Sequence, residues 1–189
     1  MPPKIHPTAI VHDGAMIGDD VVIGPYSIIG ENVTIGNGTY IQSNVIVDGY
    51  TTIGIENRIF HGAAIGNPPQ DLKYEGEKTF VRIGDRNTIR ECVTVNLAAG
   101  EGESTVIGND CLLMAYVHVA HNCVLGDHVI LANAVNPAGH VTIEDYAIIG
   151  GLVPVHQFVS IGAHSFIGGG SRIAQDVLPY FKYAGSPPK

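Results

Sequence analysis

The sequence holds no tryptophan, only three cysteines, and only 10 lysines and arginines against 18 aspartates and glutamates. Each shortage excludes something. Charged residues are 15% of the chain and the formal net charge is −8, with no Lys/Arg cluster, so nucleic acid and anionic membrane surfaces would be repelled. Cys92, Cys111 and Cys123 form no CxxC pair, and their odd number argues against a disulfide framework. No apolar run reaches membrane-spanning length, and the opening MPPKIHPTAIVHDG lacks an apolar core of signal-peptide length. The expectation is a cytoplasmic protein without membrane insertion. The 24 glycines are plentiful but lack the every-third spacing of collagen.

What the chain does have is a period. Stepping by six from Ile5 to Ile173, every position is aliphatic except Asp71, Glu77, Glu101 and Pro137. Neither an α-helix nor a plain strand repeats every six residues. A left-handed parallel β-helix does: each flat side takes one hexapeptide, and three sides close a coil of about 18 residues. The position two before each aliphatic is small or β-branched, as in Ala9, Ala15, Val21, Ser27 and Val33. These two columns fill the interior. Cys111 and Cys123 fall in the small column and read as core, and the glycine that often follows the aliphatic is expected to relax the corner.

The expected organisation is thus all-β, with the left-handed coil over residues 1–175 and a tail over 176–189. Two excursions interrupt it, at 66–82 (GNPPQDLKYEGEKTFVR) and 96–105 (NLAAGEGEST), and long loops thrown from a solenoid are often functional. The first excursion has little to pack on within one subunit, so a homotrimer with three equivalent clefts is expected.

The stretch AYVHVAHNCVLGDH packs three of the nine histidines into one place. Beyond Ile107 the repeat has no insertions, so residues one coil apart should stack. His121 then shares a column with Gly139 and Gln157, Asn122 with His140, Ala120 with Ala138 and His156, and His118 with Asn136. His128 and His164 fall in a column of their own and read as turn residues. A patch of four histidines fits a zinc site, a polar stripe without chemistry, or a general base. Gly139 favours the last, because an unobstructed N–H beside a neutral imidazole can donate to an oxyanion on an acyl carbonyl.

The motifs HPTAIV, GNPPQDLKYEGE, IGDRNTIRECVTV, LLMAYVHVAHNCVLG, LANAVNPAGHV, DYAIIGGLVPVHQFVSIG and AQDVLPY closely resemble, in order and spacing, the acyl-carrier-protein-dependent UDP-N-acetylglucosamine acyltransferases that begin lipid A biosynthesis. The resemblance implies transfer of a 3-hydroxyacyl chain from acyl carrier protein to the 3-position of UDP-N-acetylglucosamine, with no cofactor and no metal. The family's catalytic base falls on His121, its oxyanion donor on Gly139, and the residue orienting the base on Asn122, where an aspartate is commoner. Gln70, Asp71 and Lys73 match the loop that meets the sugar nucleotide across the subunit boundary, and His118, His140, His156 and Gln157 match residues lining the cleft. Gly169, with Gly170 and Arg172 beside it, falls where the family sets acyl length.

Three departures stand out. Asn96 is followed by Leu97 and Ala98 where a basic contact is usual, Arg172 replaces a smaller residue near the acyl groove, and the chain stops at Lys189, short of the family's helical C-terminal domain. Two other readings therefore stay open: a zinc-dependent carbonic anhydrase of the β-helix type with His118, His121 and His140 as ligands, and an inactive trimeric scaffold.

Overall fold

The computed structural model describes residues 1–185 and contains, among them, 26 strands, mostly two residues long, and no helix. The strands pair in parallel on three faces of a left-handed β-helix. The first face climbs from Lys4–Ile5 through Val22–Ile23 and Tyr40–Ile41 to Phe166–Ile167. The second runs from Ile10–Val11 to His118–Val119, and the third from Met16–Ile17 to Ser160–Ile161. Partners stand 18 residues apart in regular coils, as Lys4 with Val22. Across the excursions the offset grows to 30, as Arg58 with Thr88, and to 24, as Thr88 with Leu112.

The hexad aliphatics are the core. Ile23, Ile29, Ile35, Ile41, Ile53, Ile59 and Ile65 are no more than 1% exposed. Burial of each such side chain contributes about 1.5–3 kcal/mol. The small column stacks beside them, and two of its asparagines are satisfied in rungs, whereas the buried Ser165 Oγ has no partner among the described residues. Asn57 donates to the Gly84 carbonyl at 2.9 Å and Asn87 to that of Gly108 at 2.9 Å. Cys111 and Cys123 continue that column; burial pushes their thiols up to about 11 and about 12, which keeps them neutral packing groups.

The glycine after the aliphatic has a different purpose from the one expected. Gly108 does not adopt a positive φ; a Cβ there would lie 2.5 Å from the Gly126 carbonyl oxygen of the next coil, so its role is close approach. The left-handed residue comes two positions later and is usually not glycine: Asp110, Asn122, His128, His140, Tyr146 and Phe158 all have φ between 56° and 65°.

The regular coil also reaches further than its expected boundaries. Strand Ala64–Asn67 extends into the first excursion and Phe80–Ile83 resumes before its end, so the irregular segments narrow to 68–79 and 97–103. Past 175, Val177 bridges to Ile161, and Lys182–Tyr183 pairs with Phe166–Ile167, carrying the coil almost to the end of the described residues. One break was unforeseen. The second face divides between His118–Val119 and Asn136–Pro137, because Pro137 has no N–H to give to the ladder. Two bonds remain there: the His118 N–H to the Val135 carbonyl at 3.1 Å, and the Ala120 N–H to the Pro137 carbonyl, long at 3.4 Å.

Candidate active site

Where the second face turns into the third, three coils stack as the 18-residue offset predicts. The His140 N–H donates to the His121 carbonyl at 3.1 Å, and the Phe158 N–H to the Gly139 carbonyl at 3.2 Å. The His121 ring lies over Gly139: a Cβ on that glycine would fall 2.5 Å from both Cε1 and Nε2. No other residue leaves room for the ring. Gly139 keeps its own N–H free, since among the described residues nothing accepts it. His140 meets His121 edge-on, with centroids 5.2 Å apart, and rests on Phe158 at 4.7 Å.

Asn122 is held from both ends of its amide. Its Oδ1 accepts the Ala99 N–H at 2.9 Å, and its Nδ2 donates to the Ala99 carbonyl at 3.1 Å. That pair of bonds defines which end is oxygen. The oxygen also lies 2.9 Å from His121 Nδ1, so Nδ1 must carry the proton and donate. The lone pair of neutral His121 is therefore on Nε2.

Nε2 faces the first excursion, 4.0 Å from Asp71 Oδ2, with the two side chains 18% and 28% exposed. Asp71 is fixed in turn by the Lys73 N–H, donated to Oδ1 at 3.0 Å. Gln70 and His121 separate two clefts. One, of about 500 Å3, is walled by Thr94, Asn96, His118, Asn136 and Gly139; the other, of about 600 Å3, by Asp71, Lys73, His140, Gln157 and Phe158. Burial, and then the field of His121, lowers the pKa of both His118 and His140, favouring neutral rings. His118 Nδ1 is 2.7 Å from Thr94 Oγ1. Asn96 is 4% exposed, and its Oδ1 has no hydrogen-bond partner among the described residues. Such a buried acceptor is costly unless something in the cleft donates to it.

The bacterial transferase hexapeptide (six repeats) model matches residues 14–49 and 104–135. The acyl-(acyl-carrier-protein) UDP-N-acetylglucosamine O-acyltransferase of Chlamydia abortus is 52% identical over 120 residues, which is 64% of this chain and 43% of that protein. The chain thus matches less than half the length of that curated relative. Among solved structures, LpxA of Acinetobacter baumannii superposes with a TM-score of 0.96 at 48% identity, covering 97% of this chain and 72% of that one. The UDP-N-acetylglucosamine acyltransferase from Campylobacter jejuni gives 0.94 at 42% identity, covering 98% and 73%.

The chain belongs to the UDP-N-acetylglucosamine acyltransferase family. Of the candidate residues read from the sequence, His121, Gly139, Gln70, Asp71, Lys73, Asn96, His118, His140 and Gln157 line the two clefts, and Asn122 touches His121 beside them. The loop 70–73 stands over His121 of its own chain. His156 is set apart: it is exposed, with Nδ1 3.1 Å from the Gln157 carbonyl, and it lines neither cleft. Gly169 and Gly170 lie on the turn from the first face into the second, the other edge of the second face from His121. Arg172 is exposed between them and the cleft. The structure therefore does not place a groove straight above the base.

Thr94 and Phe158 were missed by sequence reasoning. Phe158 was available, one coil above His140. Thr94 was hidden, because it pairs with His118 across an excursion, at an offset of 24. No three His, Cys, Asp or Glu side chains among the described residues are grouped to hold a metal ion; Asn122 and Thr94 already engage Nδ1 of His121 and His118.

Proposed function

We propose that this chain transfers a 3-hydroxyacyl group from acyl carrier protein to the 3-hydroxyl of UDP-N-acetylglucosamine, with His121 as general base. The observation that carries the reading is the grip on Asn122, which puts the His121 lone pair on Nε2, facing the clefts. In the reaction, Nε2 takes the hydroxyl proton while the oxygen attacks the thioester carbonyl carbon. The Gly139 N–H donates to the resulting oxyanion. Collapse breaks the carbon–sulfur bond, and the imidazolium returns its proton to the leaving thiolate of the carrier protein. Neutral His118 and His140 add no cationic neighbour that would discourage His121 from taking that proton.

In this reading Asn96, Gln70, Asp71 and Lys73 hold the sugar nucleotide, with His118, His140 and Gln157 along the cleft, His156 outside it, and Gly169, Gly170 and Arg172 bounding the acyl chain. Three copies complete the clefts. Exposed Ile10, Ile28 and Ile46, at 55%, 36% and 38%, form an apolar stripe on the same second face that carries His118, and a second copy would cover it. Cytoplasmic residence goes with a carrier-protein donor.

The test is acyl transfer by the full chain and by His121→Ala. Loss of the base should lower turnover by on the order of 10²–10⁴ with folding intact. A variant keeping more than about a tenth of wild-type turnover is not missing its base, since even the low end of that range is a hundredfold. Calorimetry with UDP-N-acetylglucosamine separates an enzyme from a bare scaffold, which would give no heat.

A further inference from the structure

Glu77 and Glu101 break the hexad pattern, and nothing in the reading above uses them. They join the two excursions by exchanged bonds. Glu77, on the first, accepts the Gly100 N–H of the second at 2.8 Å; Glu101, on the second, accepts the Lys78 N–H of the first at 3.0 Å. The Gly102 N–H adds a bond to the Lys78 carbonyl at 2.9 Å. The other Glu77 oxygen holds its own loop closed through the Glu75 N–H at 2.9 Å. Gly100 follows Ala99 directly, and Ala99 supplies both main-chain groups that grip Asn122.

We infer that Glu77 is a positioning residue, acting through Gly100, Ala99 and Asn122 to keep the His121 proton on Nδ1. The inference rests on His121 being the base. A carboxylate suits the task because charge-assisted bonds to backbone N–H groups are about twice as strong as neutral ones. The same chain of contacts explains why position 122 is asparagine. An aspartate there would turn a carboxylate oxygen, instead of the amide N–H, toward the Ala99 carbonyl. Loop and orienting residue are matched to each other. Glu77 also sits on the loop that carries Asp71, so one side chain ties both sides of the base together.

The experiment compares wild type, Glu77→Ala and Glu77→Gln by the 15N shifts of the His121 ring above pH 8, together with kcat and KM. Wild type is expected to show one tautomer, with the proton on Nδ1. Glu77→Ala should show both tautomers and a kcat lower by about tenfold or more at unchanged KM, since small misplacements of a reacting group are costly. Glu77→Gln keeps one accepting oxygen and should recover most of both signals. The inference is overturned if Glu77→Ala folds and keeps a single Nδ1–H tautomer, or, should Glu77→Ala not fold, if Glu77→Gln loses thermal stability while its tautomer and kcat stay fully those of wild type. A wild type that transfers no acyl group but shows the single tautomer sinks the functional reading and leaves the clamp standing.

Discussion

Two corners of this coil carry columns of left-handed residues with stacked rings, and they have opposite characters. At the corner between the third and first faces, His128, Tyr146, His164 and Tyr180 stack at 4.5, 4.8 and 5.0 Å. At the cleft corner Asn122, His140 and Phe158 occupy the equivalent positions, with similar φ values and one stacked pair. The difference lies one residue earlier. At the ladder corner the N–H groups of Asn109, Asp127 and Ala163 are taken by the carboxylates of Asp127, Asp145 and Glu144. At the cleft corner the Gly139 N–H is left free and a ring lies across it. The ladder corner also has no excursion above it, whereas the cleft corner has two. A histidine on this scaffold is a ladder rung or a candidate base according to its column neighbours, which is why counting histidines decides nothing.

Gly139→Ala is the sharpest way to break this contrast. Its Cβ would displace the His121 ring, and a shift of about 1 Å in a reacting group can cost 10²-fold. Turnover should fall on that scale, whereas His164→Ala at the ladder corner should leave it unchanged. Equal effects of the two in the transfer assay would erase the distinction between the corners.

A smaller effect is expected at the upper turn. Gly169 has room for a Cβ only tightly, 3.2 Å from the Gly151 carbonyl oxygen. Gly169→Met should shift acyl preference toward shorter chains, each excluded methylene removing about 0.8 kcal/mol of burial. Carrier proteins loaded with graded 3-hydroxyacyl chains report it; identical profiles would make Gly169 a corner residue and nothing more.

The smallest effect concerns pH. His118 and His140 have pKa values lowered from 6.5, first by burial and then by the field of His121. The unfolded chain therefore binds more protons in that range, so their effect is a stability penalty that grows as pH falls below 6.5. Thermal unfolding at pH 7 and pH 5 should show this fall, and His118→Gln should flatten part of it; a slope unchanged in the variant would mean that His118 does not contribute.

The fold was legible because one packing rule repeats. The core wants an aliphatic residue every six, and the only failures before Ile173 are the four residues that do something else. Asp71 stands by His121, Glu77 and Glu101 join the excursions, and Pro137 divides a sheet. The meeting of His121, Asn122, Gly139 and His140 was legible by the same counting, since no insertion disturbs it above Ile107. The role of Ala99 was not legible, because it contributes only backbone and its loop has no period. Thr94 was lost where the offset changes. Gly169 was placed at the right height but not around the axis: its distance from His121 is whole hexads but not whole coils, so it turns onto another edge.

The left-handed corners also bear on how such a chain can change over generations. A β-branched residue is poorly tolerated at φ near +60°, whereas Asn, Asp and His enter that region several-fold more readily. Replacements surviving at Asn122, His128, His140 or His164 are thus drawn mostly from side chains with a nitrogen or oxygen to offer. The backbone keeps refilling these edges with reactive groups, so a new site can arise there from an ordinary turn by few substitutions, while the flat faces drift among aliphatic and hydroxyl residues.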